Sequence, residues 1–147
     1  MLRKKIEDLL LSVTKPARYI GGESGSVIKN KDNISVRFAF CFPDTYDIGM
    51  SHLGMKILYS LINQRADYWC ERVFAPGIDF EKLMRENRIP LYALESLDPL
   101  SEFDFIGFTM QYELSYTNVL NMLDLAGIPI LSKDRDDKLT NIIVAGG

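Results

Sequence analysis

The run Val36-Arg37-Phe38-Ala39-Phe40-Cys41-Phe42-Pro43-Asp44-Thr45-Tyr46-Asp47-Ile48-Gly49-Met50-Ser51-His52-Leu53-Gly54 decides how the rest of the chain reads. Ile34–Phe42 is close to continuously apolar, the pattern of a strand covered on both faces. Pro43 and Asp44 stop it. Beyond a glycine-bearing loop, Leu53, Ile57, Leu58, Leu61 and Ile62 recur at helical spacing, so a helix follows. A strand apolar on both faces requires helices above and below it, which makes this the first unit of an α/β domain.

The same alternation continues outward. Tyr68–Ala75 reads as a second strand, stopped by Pro76-Gly77, and Asp79 is placed to cap a helix carrying Phe80, Leu83 and Met84. Pro90–Leu94 reads as a short strand and Asp104–Met110 as a buried one. Tyr116, Val119, Leu120 and Leu123 form the next helical stripe, which Gly127 and Pro129 end. Asn141–Ala145 is the last strand and runs into Gly146-Gly147. The expected fold is a doubly wound, mostly parallel sheet of the Rossmann or flavodoxin type. Towards the N-terminus, Ile6, Leu9, Leu10 and Val13 share one helical face until Lys15-Pro16, and Tyr19–Ser26 is a glycine-rich connector. We therefore expect an N-terminal arm over 1–33 and an α/β domain over 34–147. The last strand has no covering helix after it, so we expect this domain to continue beyond the chain in a longer protein.

Composition narrows the function classes. Of 147 residues, 47% are hydrophobic and 25% charged, the balance of one globular domain with a real core rather than a disordered chain. Runs such as Phe38–Pro43 fall far short of the roughly 18 residues of a membrane span. The charged N-terminus lacks a signal-peptide pattern, so no membrane association and a cytoplasmic location are expected. A net charge of −3 and a pI near 5.2 argue against nucleic acid as a partner. The charge is uneven: residues 1–37 hold eight Lys/Arg against four Asp/Glu, and residues 38–147 hold nine against sixteen. A solvated face explains this more simply than a docking arm. Cys41, Cys70 and a single His52 offer neither a zinc site nor a cluster site. Both cysteines sit in apolar runs and read as core.

Three loops follow strand ends, the edge where open α/β sheets bind ligands. They are Pro43–Gly54, Gly107–Glu113 and Ala145–Gly147. Their glycines either cradle a ligand's polar groups on backbone N–H donors or make tight turns, and spacing alone favours neither. They match neither the GxxxxGK[ST] loop nor GxGxxG.

Asp44-Thr45-Tyr46-Asp47-Ile48-Gly49 resembles the D-x-H-x-x-G signature of cobalamin-binding domains, where the His is the lower cobalt ligand and the Asp orients it. Thr109-Met110-Gln111 stands where that family has S-x-L, and Gly146-Gly147 matches its Gly-Gly beside the nucleotide tail. Tyr46 replaces the ligand His, and Gln111 replaces the Leu. His52, six positions on, reads as a locally bonded residue at a helix start. Arg18–Glu23, Phe42–Asp44, Gly49–Gly54, Glu71–Pro76, Gln111–Leu114 and Asn118–Gly127 together resemble the N-terminal region of an uncharacterised radical S-adenosylmethionine (radical SAM) protein family. That resemblance spans nearly the whole chain.

The resemblance implies a cobalamin-binding-like module, itself non-catalytic, that precedes a radical SAM barrel in the parent protein. S-adenosylmethionine and the 4Fe-4S cluster would belong to that barrel, which would be this module's partner. Asp44, Tyr46, Gly49, Thr109, Gln111, Gly146 and Gly147 are the implied cofactor-binding positions, with weak cobalamin binding because no His ligand is present. Tyr112, Glu113 and Asp47 are further candidates for the same cleft, and no catalytic or metal residue is expected. The alternative is a degenerate scaffold that binds no cofactor. A receiver-like domain is disfavoured because Met110-Gln111 stands where a phosphoacceptor Asp would be, and a hydrolase because no nucleophile has a base beyond His52. Self-association is a further expectation, because Ile142-Ile143-Val144 reads as an apolar strand with nothing to cover it.

Overall fold

A computed structural model describes residues 2–135 and 141–147. Four strands, β1 (Val36–Phe42), β2 (Tyr68–Phe74), β3 (Phe105–Thr109) and β4 (Ile142–Gly146), form one sheet in the order β2-β1-β3-β4. Every pairing is parallel, and Phe38 lies beside both Cys70 and Phe105 in register. This is the doubly wound α/β fold expected from the strand–helix alternation. The helices are α1 (Leu2–Leu10), α2 (Tyr46–Gly49), α3 (Leu53–Asn63), α4 (Ile78–Glu86) and α5 (Ser115–Leu125).

Apart from Arg37, Glu71, Arg72 and Thr109, strands β1 to β3 are apolar because each face carries a core. Ala39, Cys41, Val73, Ile106 and Phe108 pack with Ile6, Phe80, Met84, Met122 and Leu123 on one face. Phe40, Phe42, Cys70 and Phe74 pack with Met55 and Tyr59 on the other. Burying one such large side chain contributes about 1.5–3 kcal/mol, so both faces bear on stability. Cys41 and Cys70 are free, buried thiols belonging to opposite cores.

Residues of the N-terminal arm take part in both cores. Ile6 is fully buried and Tyr19 stacks on Phe80 with ring centroids 4.2 Å apart. The arm then runs past the edge of β2, where Trp69 Nε1 donates to Val27 O at 2.9 Å, and reaches the other face, where Val27 N donates to Tyr59 Oη at 2.8 Å. Lys29 Nζ donates to Asn63 O at 3.0 Å, satisfying a carbonyl at the end of α3.

Two local expectations are corrected. Pro90–Leu94 is no strand: Tyr92 makes one isolated antiparallel bridge to Pro99, and Leu94 N donates to Arg72 O at 2.9 Å at the β2 edge. Pro90 lacks the N–H that a ladder needs, which limits pairing here. Asp79 is not the cap of α4, because the helix begins one residue earlier behind Gly77. Its carboxylate instead accepts from Thr14 N at 2.9 Å and Phe80 N at 2.8 Å, tying the arm to α4. At the other end of the molecule, Gly127 adopts φ 70° after α5, and Ile128 N donates to Leu123 O at 2.9 Å. That closes the helix with the expected glycine C-cap. Among the described residues, no helix is long and apolar enough to cross a membrane.

Candidate functional site

The chain leaves β1 towards α3 on one face and β3 towards α5 on the other. Between these two strand ends opens the crevice where doubly wound folds bind ligands. The three loops singled out in the sequence lie along this edge, since Thr109 and Gly146 are in register at the ends of β3 and β4.

The β1 loop is held from several sides. Asp44 N donates to Phe42 O at 2.8 Å and Ala75 N donates to Asp44 O at 3.0 Å. Asn118 Nδ2, on the first turns of α5, donates to Pro43 O at 2.8 Å. Asp44 Oδ1 accepts from Thr45 N at 2.7 Å, which turns the chain into α2. Its other oxygen, Oδ2, accepts from Tyr112 Oη at 3.2 Å across the crevice. The hydrogen bond to this carboxylate shifts the Tyr112 hydroxyl above the ordinary phenol range.

A second bridge spans the crevice. His52 caps α3, with Nδ1 accepting from Met55 N at 3.2 Å. An accepting Nδ1 places the ring proton on Nε2, which donates to Gln111 Oε1 at 3.1 Å. Gln111 Nε2 in turn donates to Thr109 Oγ1, and Thr109 is buried. Met110 N donates to Gly146 O at 2.7 Å, and a side chain at Gly147 would run into the Met110 backbone. The β3 and β4 ends are thereby pressed together.

The structure therefore gathers Asp44, Thr109, Gln111, Gly146 and Gly147 at the crevice. Tyr46 and Gly49 face elsewhere. The Tyr46 ring meets Phe74 edge to face at 5.4 Å, and its hydroxyl lies by the Glu23 carboxylate. Burial, reinforced by that carboxylate, pushes the phenol up to about 12. Gly49 is buried, and a Cβ there would overlap the Phe74 ring and lie 3.1 Å from Phe42 Cδ1. Asp47 pairs with Arg18, and Glu113 is exposed. Tyr112 is the one further cleft candidate that reaches the crevice.

Sequence reasoning missed two contributors. Asn118 bonds the β1 loop, and His52 does more than cap its helix because it also crosses to Gln111. The i, i+2 spacing of Thr109 and Gln111 is the signal that could have paired those two. Nothing local in the sequence points from His52 to Gln111, fifty-nine positions away. Chemically, the crevice presents one carboxylate and a set of neutral donors and acceptors that are bonded to one another. Both His52 nitrogens are engaged. Among the described residues, no group of three or more His, Cys, Asp or Glu could hold a metal ion.

A family model described as "Radical SAM proteins, N-terminal" matches residues 54–147, more than half of the chain. The matched region runs from α3 to β4 and includes Thr109, Gln111, Gly146 and Gly147. No curated protein and no solved structure matches the chain.

Proposed function

The chain belongs to the family of radical SAM N-terminal domains, and from that premise we propose that it is a non-catalytic, cobalamin-binding-like scaffold whose crevice gives cobalt no protein ligand. One observation carries this reading: Asp44 and Tyr46, two positions apart, point to different partners. Asp44 bonds Thr45 N and Tyr112, whereas Tyr46 packs on Phe74 next to Glu23. A cobalt site of the D-x-H-x-x-G kind needs those two positions to act together, the Asp orienting the ligand. Here the ligand position holds a phenol that stays neutral and turns away. Gly49, the third position of the motif, is filled against Phe74 rather than open to a ligand. The residues present do not fit a histidine-ligated cobalamin.

In this reading the module serves the radical SAM barrel of the same parent chain, with the crevice edge and its two polar bridges as the docking or ligand-contacting surface. S-adenosylmethionine and a 4Fe-4S cluster are the barrel's groups. Cys41 and Cys70 belong to opposite cores of the sheet, and burial raises both thiols above their ordinary range. Neither offers the thiolate that a cluster takes.

Hydroxocobalamin titrated into residues 1–147, followed by visible spectroscopy and equilibrium dialysis, tests the proposal. Weak or undetectable binding without a nitrogen-ligated spectrum is expected. Tyr46→His should leave the spectrum of any bound cofactor unchanged, because position 46 faces Phe74 and Glu23 rather than the crevice. Tight binding by the unmutated chain with a histidine-type spectrum would assign His52 as the ligand and overturn the reading.

A further inference from the structure

Away from the crevice, between the glycine-rich connector and the start of α3, lies a cavity of about 370 Å³. Ser24 and Gly25 border it on the connector side, Met50, Lys56 and Tyr59 on the helical side, and Arg72 projects into it from β2. An arginine in mid-strand is costly to bury, yet the Arg72 side chain is only 9% exposed. Its donors are unequally served. Nε donates to Glu95 Oε1 at 2.6 Å, and Nη2 donates to Glu23 Oε2 and Ser26 Oγ, each at 2.9 Å. Among the described residues Nη1 meets the Met50 thioether sulfur alone, at 3.2 Å, and a thioether is a weak acceptor.

The two carboxylates are held differently. The Glu95 side chain is fully buried and also accepts from Arg72 N at 2.8 Å, so it is a fixed partner. Glu23 sits on a turn closed by Ser26 N donating to Glu23 O at 3.0 Å. That turn is flanked by Gly22 at φ 83° and Gly25 at φ 86°, and nothing packs where their side chains would be. Glycines in this backbone region with open space around them can swing without breaking packing, so moving Glu23 out gives up polar bonds, those to Arg72, to Ser26 Oγ at 2.9 Å and to the Tyr46 hydroxyl, which the incoming anion and solvent replace. Lys56, exposed on the first turn of α3, brings a second positive charge to the same cavity.

We infer that this cavity binds a small organic anion, a carboxylate or phosphate monoester, whose charged group takes the place of Glu23 on Arg72 and also reaches Lys56. With Glu23 swung out, two cations face one fixed carboxylate, leaving one positive charge for the ligand to match. The incoming group also supplies Nη1 with the strong acceptor it lacks. Met50, Met55 and the Tyr59 ring give the ligand's body an apolar bed. Glu23 thus acts as a tethered stand-in that keeps the buried guanidinium paired until the anion arrives.

The test is a titration of the 147-residue chain with hexanoate and with hexyl phosphate, followed by amide chemical shifts, with hexanol as the uncharged control. Saturable shifts at Gly25, Met50 and Lys56 with either anion, and none with hexanol, are expected. The tighter of the two identifies the anion. Glu23→Gln removes the internal competitor and should tighten binding, while Lys56→Glu should weaken it, each by about tenfold, the scale of one charge-assisted contact. Lys56 is exposed, so that variant will fold and decides the matter if Glu23→Gln does not. Equal shifts with hexanol, or affinity unchanged in Lys56→Glu, would overturn the proposal.

Discussion

The His52 imidazole links the start of α3 to the end of β3, accepting from Met55 N on one side and donating to Gln111 Oε1 at 3.1 Å on the other. One ring therefore both caps a helix and spans the crevice between the connections that leave β1 and β3 for opposite faces.

His52→Ala should lower stability by about 1 kcal/mol, the usual cost of removing a helix N-cap. His52→Asn should recover most of that loss, because its amide oxygen can take over the cap. Gln111→Ala leaves the cap intact and should cost less than half as much, as an exposed contact does. Urea denaturation of the three variants checks this order, and a Gln111→Ala loss equal to that of His52→Ala would contradict it.

Gly49→Ala tests whether the motif glycine serves packing. The new methyl must displace the Phe74 ring, which is itself buried in the smaller core. Overpacking of this kind costs about 1–3 kcal/mol. Pairing Gly49→Ala with Phe74→Leu should restore part of the loss, a non-additivity that thermal or urea unfolding will show. Undiminished stability in Gly49→Ala alone would free the glycine for another role.

The pair of ionisable groups beside Arg72 predicts opposite pH signatures. Burial opposes ionisation of Glu23, but its backbone hydrogen bond, the neighbouring Tyr46 hydroxyl and the Arg72 charge outweigh it, so the carboxyl sits below its ordinary value of 4.5. A depressed carboxyl contributes stability that is present above that ordinary value and is lost as pH falls through the depressed one. Tyr46, raised to about 12 from an ordinary 10, contributes stability that is intact below 10 and is lost as pH climbs towards 12. Glu23→Gln should flatten the acid limb of a stability–pH curve, and Tyr46→Phe the alkaline limb. Ultraviolet titration of the phenolates should show one late-titrating tyrosine fewer in Tyr46→Phe.

The fold was legible wherever one residue type dominates a segment. Phe38–Phe42 and Phe105–Phe108 are apolar without alternation because both sheet faces are covered, and the run of such strands between helical stripes leaves a parallel sheet as the economical solution. Gly127 marked the end of α5 because only a left-handed residue closes that helix. The strand ends likewise located the crevice. What the sequence concealed was side-chain direction on α2. Tyr46 and Asp44 lie two positions apart in a tight turn, so which faces the crevice depends on the arm residue Glu23 and on Phe74, distant in sequence. The Arg72 network was hidden for the same reason. Glu71 and Arg72 in the middle of an apolar strand were the available signal that buried charges would need partners, but Glu95 and Glu23 come from segments with no local pattern of their own.

The apolar face beside α3 leads to the last prediction. Val36, Phe38, Ile62, Tyr68 and Phe105 line an open groove of about 440 Å³, and the Val144 side chain lies on the same face, 3.5 Å from where a Gly107 Cβ would be. Ile142 is 52% exposed and Val144 44% exposed on β4, at the edge of the sheet. Leu53, Ile57 and Leu61 extend exposed apolar surface along α3. Exposed apolar surface of this kind, next to the strand that ends the sheet among the described residues, favours pairing with another chain. The 147-residue chain should therefore associate with itself as concentration rises. Burying the exposed halves of Ile142 and Val144 contributes about 2 kcal/mol together, so replacing both with Lys should weaken association by at least about tenfold. Sedimentation equilibrium reads this directly, with circular dichroism confirming that the double variant keeps its fold. A chain that stays monomeric up to millimolar concentration would show that this face holds no partner of its own kind.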